Sequence, residues 1–373
     1  MWPVIAIGMV AWLAPVVGQT PAPQLSFAEP GISPDGREIA FVSGGDIWTV
    51  PAAGGDAHLI VATDANESRP LYSPDGSALA FVSTRTGGGD IYVLTLRSGA
   101  VRRVTADDGL EQLEGWSRDG RWIYFSSTSR DIAGMNDVFR VSADGGTPMV
   151  VSGDRYTNEF QPAASPDGTR LAFVARGNGS AQWWRKAGSH LDQSELWLLS
   201  LADVAHPSYT QLTSRDSRSL WPMWSSDGRA LFYVSDRGGA ENLWTRAASA
   251  GTSDRAVTTF TNGRVLWPSI TTDGKTIAFE RNFGIWTTDT ATGQAREVTI
   301  RRRGAPVSPV AERVRQTNGF EDLALSPDGK KVAFVARGKI FASATMDPGD
   351  AFRVTRTAAL DSQPVWSNDS RQL

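Results

Sequence analysis

The residues able to do chemistry near neutral pH are few. The chain of 373 residues has three histidines, His58, His190 and His206, and no cysteine. Disulfides, thiolate metal sites and cysteine nucleophiles are therefore excluded. Ser189, His190 and Asp192 stand close together, a composition that suggests a hydrolytic triad. Triads, however, are assembled by tertiary geometry and not by adjacency in sequence, so the cluster alone does not make one. No G-x-S-x-G elbow, phosphate-binding loop, H-E-x-x-H or dinucleotide fingerprint occurs. No catalytic residue, metal ligand or cofactor is assigned from the sequence. His58 falls where an outer strand should run and His206 precedes Pro207 in a loop, so both are read as surface or packing residues.

One segment has the composition of a contact site. Residues 176–194 (RGNGSAQWWRKAGSHLDQS) combine Trp183, Trp184, Arg185 and Lys186, aromatic area beside positive charge, as at binding hot spots. Trp183, Trp184, Arg185 and His190 are the candidate binding residues. The alternative is that the two indoles fold back onto their own domain or cover a neighbouring one.

What must position this segment is a repeat. The tetrapeptide Ser33-Pro34-Asp35-Gly36 returns, intact or altered, eight times, with its aspartate at Asp35, Asp75, Asp119, Asp167, Asp227, Asp273, Asp328 and Asp369. The spacings run from 40 to 60 residues, the period of four-stranded propeller blades. Three residues beyond each of the first seven aspartates begins the same apolar run, including Glu38 to Ser43 (EIAFVS) and Ala78 to Ser83 (ALAFVS). Such runs, apolar on both alternating faces, fit strands covered on both sides by neighbouring sheets. A second strand signal follows, with an aromatic at a matched position: Trp48, Tyr92, Phe139, Trp197, Trp244, Trp286 and Phe341. The distance from aspartate to aromatic varies from 13 to 30 residues, so the intervening hairpin absorbs the variation, and residues 176–194 are its longest version. The Asp-Gly pair supplies a tight turn, with Asp bonding its own backbone two residues on. Cation ligation by these aspartates would need more oxygen ligands than one turn provides.

Composition agrees with an all-β chain: 37 Gly and 20 Pro for turns, 40% hydrophobic residues for a core. The formal net charge is −3, and Arg301-Arg302-Arg303 is too short a basic run to indicate nucleic acid. Trp2 to Val17 are apolar without a charge, and Val16-Val17-Gly18 precedes a polar segment. This reads as a secretory signal, residues 1–18, and hence export to a periplasmic or extracellular space. The lack of Lys or Arg at its start leaves an uncleaved membrane anchor as the alternative.

The repeats group. Six copies fill residues 25–300, expected to form a six-bladed propeller of four-stranded antiparallel blades. Residues 301–318 are charged, contain Pro and read as a connector; residues 319–373 hold a seventh copy and the start of an eighth, the beginning of a second propeller. A single ring of seven or eight blades is the alternative. The eighth copy stops four residues past Asp369, where every other copy begins its buried strand, so the chain is expected to be the front of a longer protein.

These repeats resemble those of TolB, the prolyl oligopeptidase propellers and the tricorn-type proteases. The order of six copies followed by a restart, with FEDLALSPDGKKVAFVARGKIF from Phe320 to Phe341 opening the second set, is most similar to the tricorn-type family. That resemblance implies a second, seven-bladed propeller, a PDZ-like module and a serine peptidase domain beyond this chain. It implies peptide or protein substrates gated or channelled to that downstream domain, and a homo-oligomer formed through the full-length protein. No position of this sequence matches the family's catalytic residues. The alternatives are the propeller of an amidohydrolase or prolyl-oligopeptidase-like hydrolase, and a TolB-like periplasmic binding scaffold. The repeats begin too soon after the expected cleavage site to leave room for the leading α/β domain of TolB.

Overall fold

The computed structural model describes residues 25–107, 109–132, 134–177, 193–203, 206–214, 216–302, 316–346, 351–355 and 360–373. Trp183, Trp184, Arg185 and His190, with Ser189 and Asp192, lie outside the described residues, as do the signal segment 1–18 and most of the connector. The chain divides into two compact units, Met1–Arg303 and Gly304–Leu373.

In the first unit the apolar runs become the second strands of six four-stranded antiparallel sheets. They span Glu38–Ser43, Ala78–Ser83, Trp122–Ser127, Arg170–Gly177, Ala230–Ser235 and Thr276–Arg281. The third strands pair with them so that the matched aromatics sit directly opposite aromatics of the second: Phe41 faces Trp48, Phe81 faces Tyr92, Phe125 faces Phe139, and Phe173 faces Trp197. Tyr233 faces Trp244 and Phe279 faces Trp286 in the same register. Cross-strand aromatic pairs of this kind pin register as well as bury area. The result is a six-bladed β-propeller, and among the described residues there is no α-helix.

Its core lies between blades. One cluster joins Ile39, Phe41 and Val50 of the first blade to Ala278, Ile285 and Val298 of the sixth. Another joins Ile47 of the first to Leu79 and Phe81 of the second. Because each blade is built from consecutive strands, the ring closes by packing and hydrogen bonding. Phe27 N donates to Phe283 O at 2.9 Å, and Ile32 N to Ser269 Oγ at 3.0 Å. After the sixth blade, Ile300–Arg301 pairs in parallel with Gly55–Asp56 of the first. Arg301 Nε lies 2.9 Å from Asp56 Oδ1, and the Arg302 guanidinium stands 4.6 Å over the Trp48 ring. This clasp engages two arginines of the Arg301-Arg302-Arg303 run.

Every turn is self-satisfied. In the first, Ser33 Oγ donates to Asp35 Oδ1 at 2.7 Å, Arg37 N donates to the same oxygen at 3.1 Å, and Glu38 N donates to Ser33 Oγ at 3.0 Å. The hydroxyl and amide hold the Asp35 carboxyl below its usual range, and the same arrangement brings Asp119 and Asp167 to about 2.

The second unit repeats the pattern in one four-stranded sheet, Phe320–Leu325, Lys331–Ala336, Lys339–Ala344 and Phe352–Arg353. A further turn follows, with Ser367 Oγ donating to Asp369 Oδ1 at 2.6 Å, and Trp366 Nε1 donating to Ala324 O at 3.0 Å.

Candidate functional site

The inner strands of the propeller are Ala28–Ile32, Glu67–Tyr72, Glu111–Trp116, Thr157–Ala164, Ser219–Trp224 and Leu266–Ile270. Each has a register break against its second strand. The cause is written in the sequence: Pro30, Pro70, Pro162, Pro222 and Pro268 occupy the break, and proline has no N–H to give to the ladder. The residue before each proline takes the left-handed backbone region, Glu29 at φ 52°, Arg69 at 52°, Gln161 at 53°, Trp221 at 49° and Trp267 at 50°. Residues with a Cβ seldom adopt it, and bulges serve to re-aim side chains. In the third blade the break holds a single residue, Glu114, and Gly115 pairs with Tyr124.

These six residues, one per blade, link into a closed girdle around the axis. Glu29 N donates to Glu280 Oε2 at 3.2 Å, and Arg69 N donates to the Glu29 carboxylate. Arg69 Nη2 lies 3.8 Å from Glu114 Oε2, and Arg69 Nε donates to Leu113 O at 3.2 Å. Gln161 N bonds the Glu114 carboxyl, and Trp221 N donates to Gln161 Oε1 at 2.8 Å. The Trp221 and Trp267 rings lie 5.6 Å apart, and the Arg69 guanidinium sits 5.0 Å over Trp267, completing the circle. Within the second unit the device recurs: Gln363 N donates to Asp322 Oδ2 at 2.9 Å, and both residues have positive φ.

Burial governs the electrostatics. The side chains of Arg69 and Glu114 are 7% and 3% exposed. Loss of solvent pushes Glu114 up to about 7 in spite of the neighbouring guanidinium, raises Glu29, and lowers Arg69. The ion pair is therefore complete only above about pH 7, and below it the buried guanidinium faces a neutral Glu114.

Above the girdle, on the face of the Ser-Pro-Asp-Gly turns, opens a funnel of about 220 Å3. Its floor includes Arg69, Glu114, Gln161 and Trp221, and its wall includes Pro34, Pro74, Pro162, Pro166, Pro222 and Pro268. In the third blade the turn proline is replaced by Arg118, whose Nη2 donates to Thr272 O of the opposite, sixth blade at 3.0 Å. The floor carries one carboxylate, Glu114, beside Arg69, Gln161 and Trp221, and the prolines of the wall alternate with polar residues such as Ser225, Ser269 and Thr271.

The two described histidines, His58 and His206, are not among the residues lining this site. His58 begins the outer strand His58–Val61 and is exposed; His206 Nδ1 lies 3.1 Å from Asp203 Oδ2 in an exposed loop. The girdle escaped the reading of motifs. Its signal is positional: in five of the six blades the axial residue stands four before the turn Ser or Thr and just before a proline.

The sequence profile described as the tricorn protease N-terminal beta propeller domain matches residues 25–294. Tricorn protease homolog 1 of Streptomyces coelicolor is 26% identical over 351 residues, covering 90% of this chain and 32% of that protein. A TolB homolog of Chlorobium luteolum is 29% identical over 168 residues, 44% of this chain and 34% of that protein. The crystal structure of the tricorn protease superposes with a TM-score of 0.60 at 17% identity, over 89% of this chain and 31% of that one. The chain thus spans about a third of the length of these tricorn relatives.

Proposed function

Because the chain belongs to the tricorn protease N-terminal β-propeller domain family, we propose that it is the non-catalytic propeller region of an exported tricorn-like serine peptidase, gating peptides on their way to or from a catalytic domain of the same longer protein. The observation that carries this reading is the axial girdle. Six side chains from six blades close the axis through hydrogen bonds, one ion pair and ring contacts, with no covalent link. Such a closure is stable at rest and can open without unfolding a blade. The funnel above it offers peptide ends an apolar, concave entrance, the general form of a ligand site. The apolar run read as a leader at residues 1–18 supports export, and N-terminal sequencing of the protein made with this segment intact would check whether it is cleaved.

The test of the non-catalytic role is direct. The 373-residue chain is expected to hydrolyse no peptide, whereas the full-length gene product does, and a serine-directed fluorophosphonate labels it outside residues 1–373. Peptidase activity of the chain itself, abolished by Ser189→Ala or His190→Ala, would overturn the proposal.

A further inference from the structure

Two buried donors on the funnel floor have no partner in the propeller. Arg69 Nη1 and Trp221 Nε1 make no hydrogen bond, although Arg69 is 6% and Trp221 8% exposed. Both side chains line the funnel with these two nitrogens closed off from solvent, so a ligand reaches them as the girdle side chains move apart; they flank a common neighbour, Trp267, at 5.0 and 5.6 Å. Guanidinium and indole nitrogens donate only, so the missing complement is an acceptor. The proline wall supplies apolar rings and no N–H groups, and the hydroxyls of Ser225, Ser269 and Thr271 that also line the funnel already donate within the propeller, so the two unpartnered donors lie on the floor. A guanidinium fork matches a carboxylate in shape and charge, and the exposed Arg118 at the mouth adds positive charge on the way in. The girdle makes the funnel blind, so a chain enters it by an end.

We infer that the funnel floor binds the C-terminal carboxylate of a peptide, one oxygen on Arg69 Nη1 and the other on Trp221 Nε1, with the terminal side chains against the proline wall. The inference deepens the gate reading, on which it rests for the origin of the peptide, by naming the end that reaches the gate.

The acids around Arg69 set the pH dependence. Glu114 lies beside its Nη2, Glu29 accepts from its backbone N–H, and Glu280 accepts in turn from Glu29 N, with Arg264 acting on Glu280. An incoming carboxylate competes with Glu114 and Glu29 for the guanidinium. Protonation of Glu114, which titrates at about 7, frees Arg69 for the ligand, so affinity rises as pH falls from 8 to 6.

Titration calorimetry of the chain with N-acetyl-leucyl-alanine and with its C-terminal amide tests this. The free acid is expected to bind at least about tenfold more tightly than the amide, since a site built around hydrogen bonds rejects the analogue lacking them. The acid should bind several-fold more tightly at pH 6 than at pH 8. Trp221→Phe, which keeps the ring and removes the N–H, should weaken the acid about fivefold and leave the amide unchanged. No binding of the acid at millimolar concentration overturns the inference, as do equal affinities for acid and amide, or an unaltered affinity in a natively folded Trp221→Phe. Binding is read on this chain and gating on hydrolysis by the full-length product, so either can fail without the other.

Discussion

Arg118 and Thr272 belong to blades on opposite sides of the ring, yet Arg118 Nη2 donates to the Thr272 carbonyl at 3.0 Å. Arg118 occupies a position that proline holds in three of the other five turns, Pro34, Pro74 and Pro166. Elsewhere neighbouring turns pack on one another: a Cβ on Gly76 would lie 3.7 Å from Pro34 Cδ, and one on Gly228 would lie 3.5 Å from Pro166 Cδ. A Cβ on Gly168, next to Arg118, would meet nothing within 4 Å. The substitution thus opens a notch in the rim and places a bar across the mouth. Because the bond is exposed, Arg118→Ala is expected to change unfolding free energy by less than about 0.5 kcal/mol, measured by urea denaturation.

The close approach of the first two blades gives a sharper stability test. A Cβ on Gly31 would lie 2.1 Å from Pro70 O, a backbone atom that cannot move aside. Gly31→Ala is expected to destabilise the propeller by about 2–3 kcal/mol or more. Gly115→Ala, whose new Cβ would stand 3.9 Å from the nearest atom, should stay near wild type. Calorimetric melting temperatures of the two variants decide it.

Stability should depend on pH in a particular direction. Glu111 is pushed up to about 8, and Glu114 and Glu159 to about 7, in each case chiefly by burial. The folded state therefore binds more protons than the unfolded state above about pH 4.5, and stability falls as pH rises through the folded values. The turn aspartates act in the opposite sense at lower pH: Asp119 and Asp167, held at about 2 by their serine hydroxyls, lose their contribution as pH falls from about 4 toward 2. The unfolding free energy from urea denaturation should be highest near pH 5 and lower at pH 8.5, by an amount on the order of 2–5 kcal/mol. Glu111→Gln should flatten that slope; a flat or rising profile in the wild type would contradict the assignment.

The clasp after the sixth blade should close the ring. Gly55 N donates to Thr299 O and Ala57 N to Arg301 O, both at 2.9 Å. A chain ending at Arg302 is expected to exceed one ending at Val298 in stability by about 2–3 kcal/mol. Hydrogen exchange at Gly55 and Ala57 should accelerate in the shorter chain before exchange elsewhere in the first blade.

Much of this fold is legible in the sequence because each repeat states its own register. The run from Glu38 to Ser43 is the second strand of the first blade to the residue, and the aromatic Trp48 is found opposite Phe41. The turn Asp35 bonds Arg37 N as the Asp-Gly signature implies. The axial site is less legible, since its members Glu29, Arg69, Glu114, Gln161, Trp221 and Trp267 share no chemical type. Five of them share a left-handed backbone conformation, announced only by the proline that follows, and Glu114 lacks both. Their contacts join residues tens to hundreds of positions apart, such as Trp221 N to Gln161 Oε1 and Glu29 N to Glu280 Oε2, and follow from ring closure and not from spacing.

The central claim is that the girdle is a gate, and the rate of hydrolysis as a function of substrate length tests it most directly. In the full-length product, Trp221→Ala/Trp267→Ala removes the ring contact that closes the circle while leaving every blade its own strands. Turnover of a long unfolded polypeptide, taken relative to a short chromogenic peptide, is expected to rise about threefold or more, as for other closures that limit turnover. An unchanged ratio in a variant that melts as a folded propeller would contradict the account.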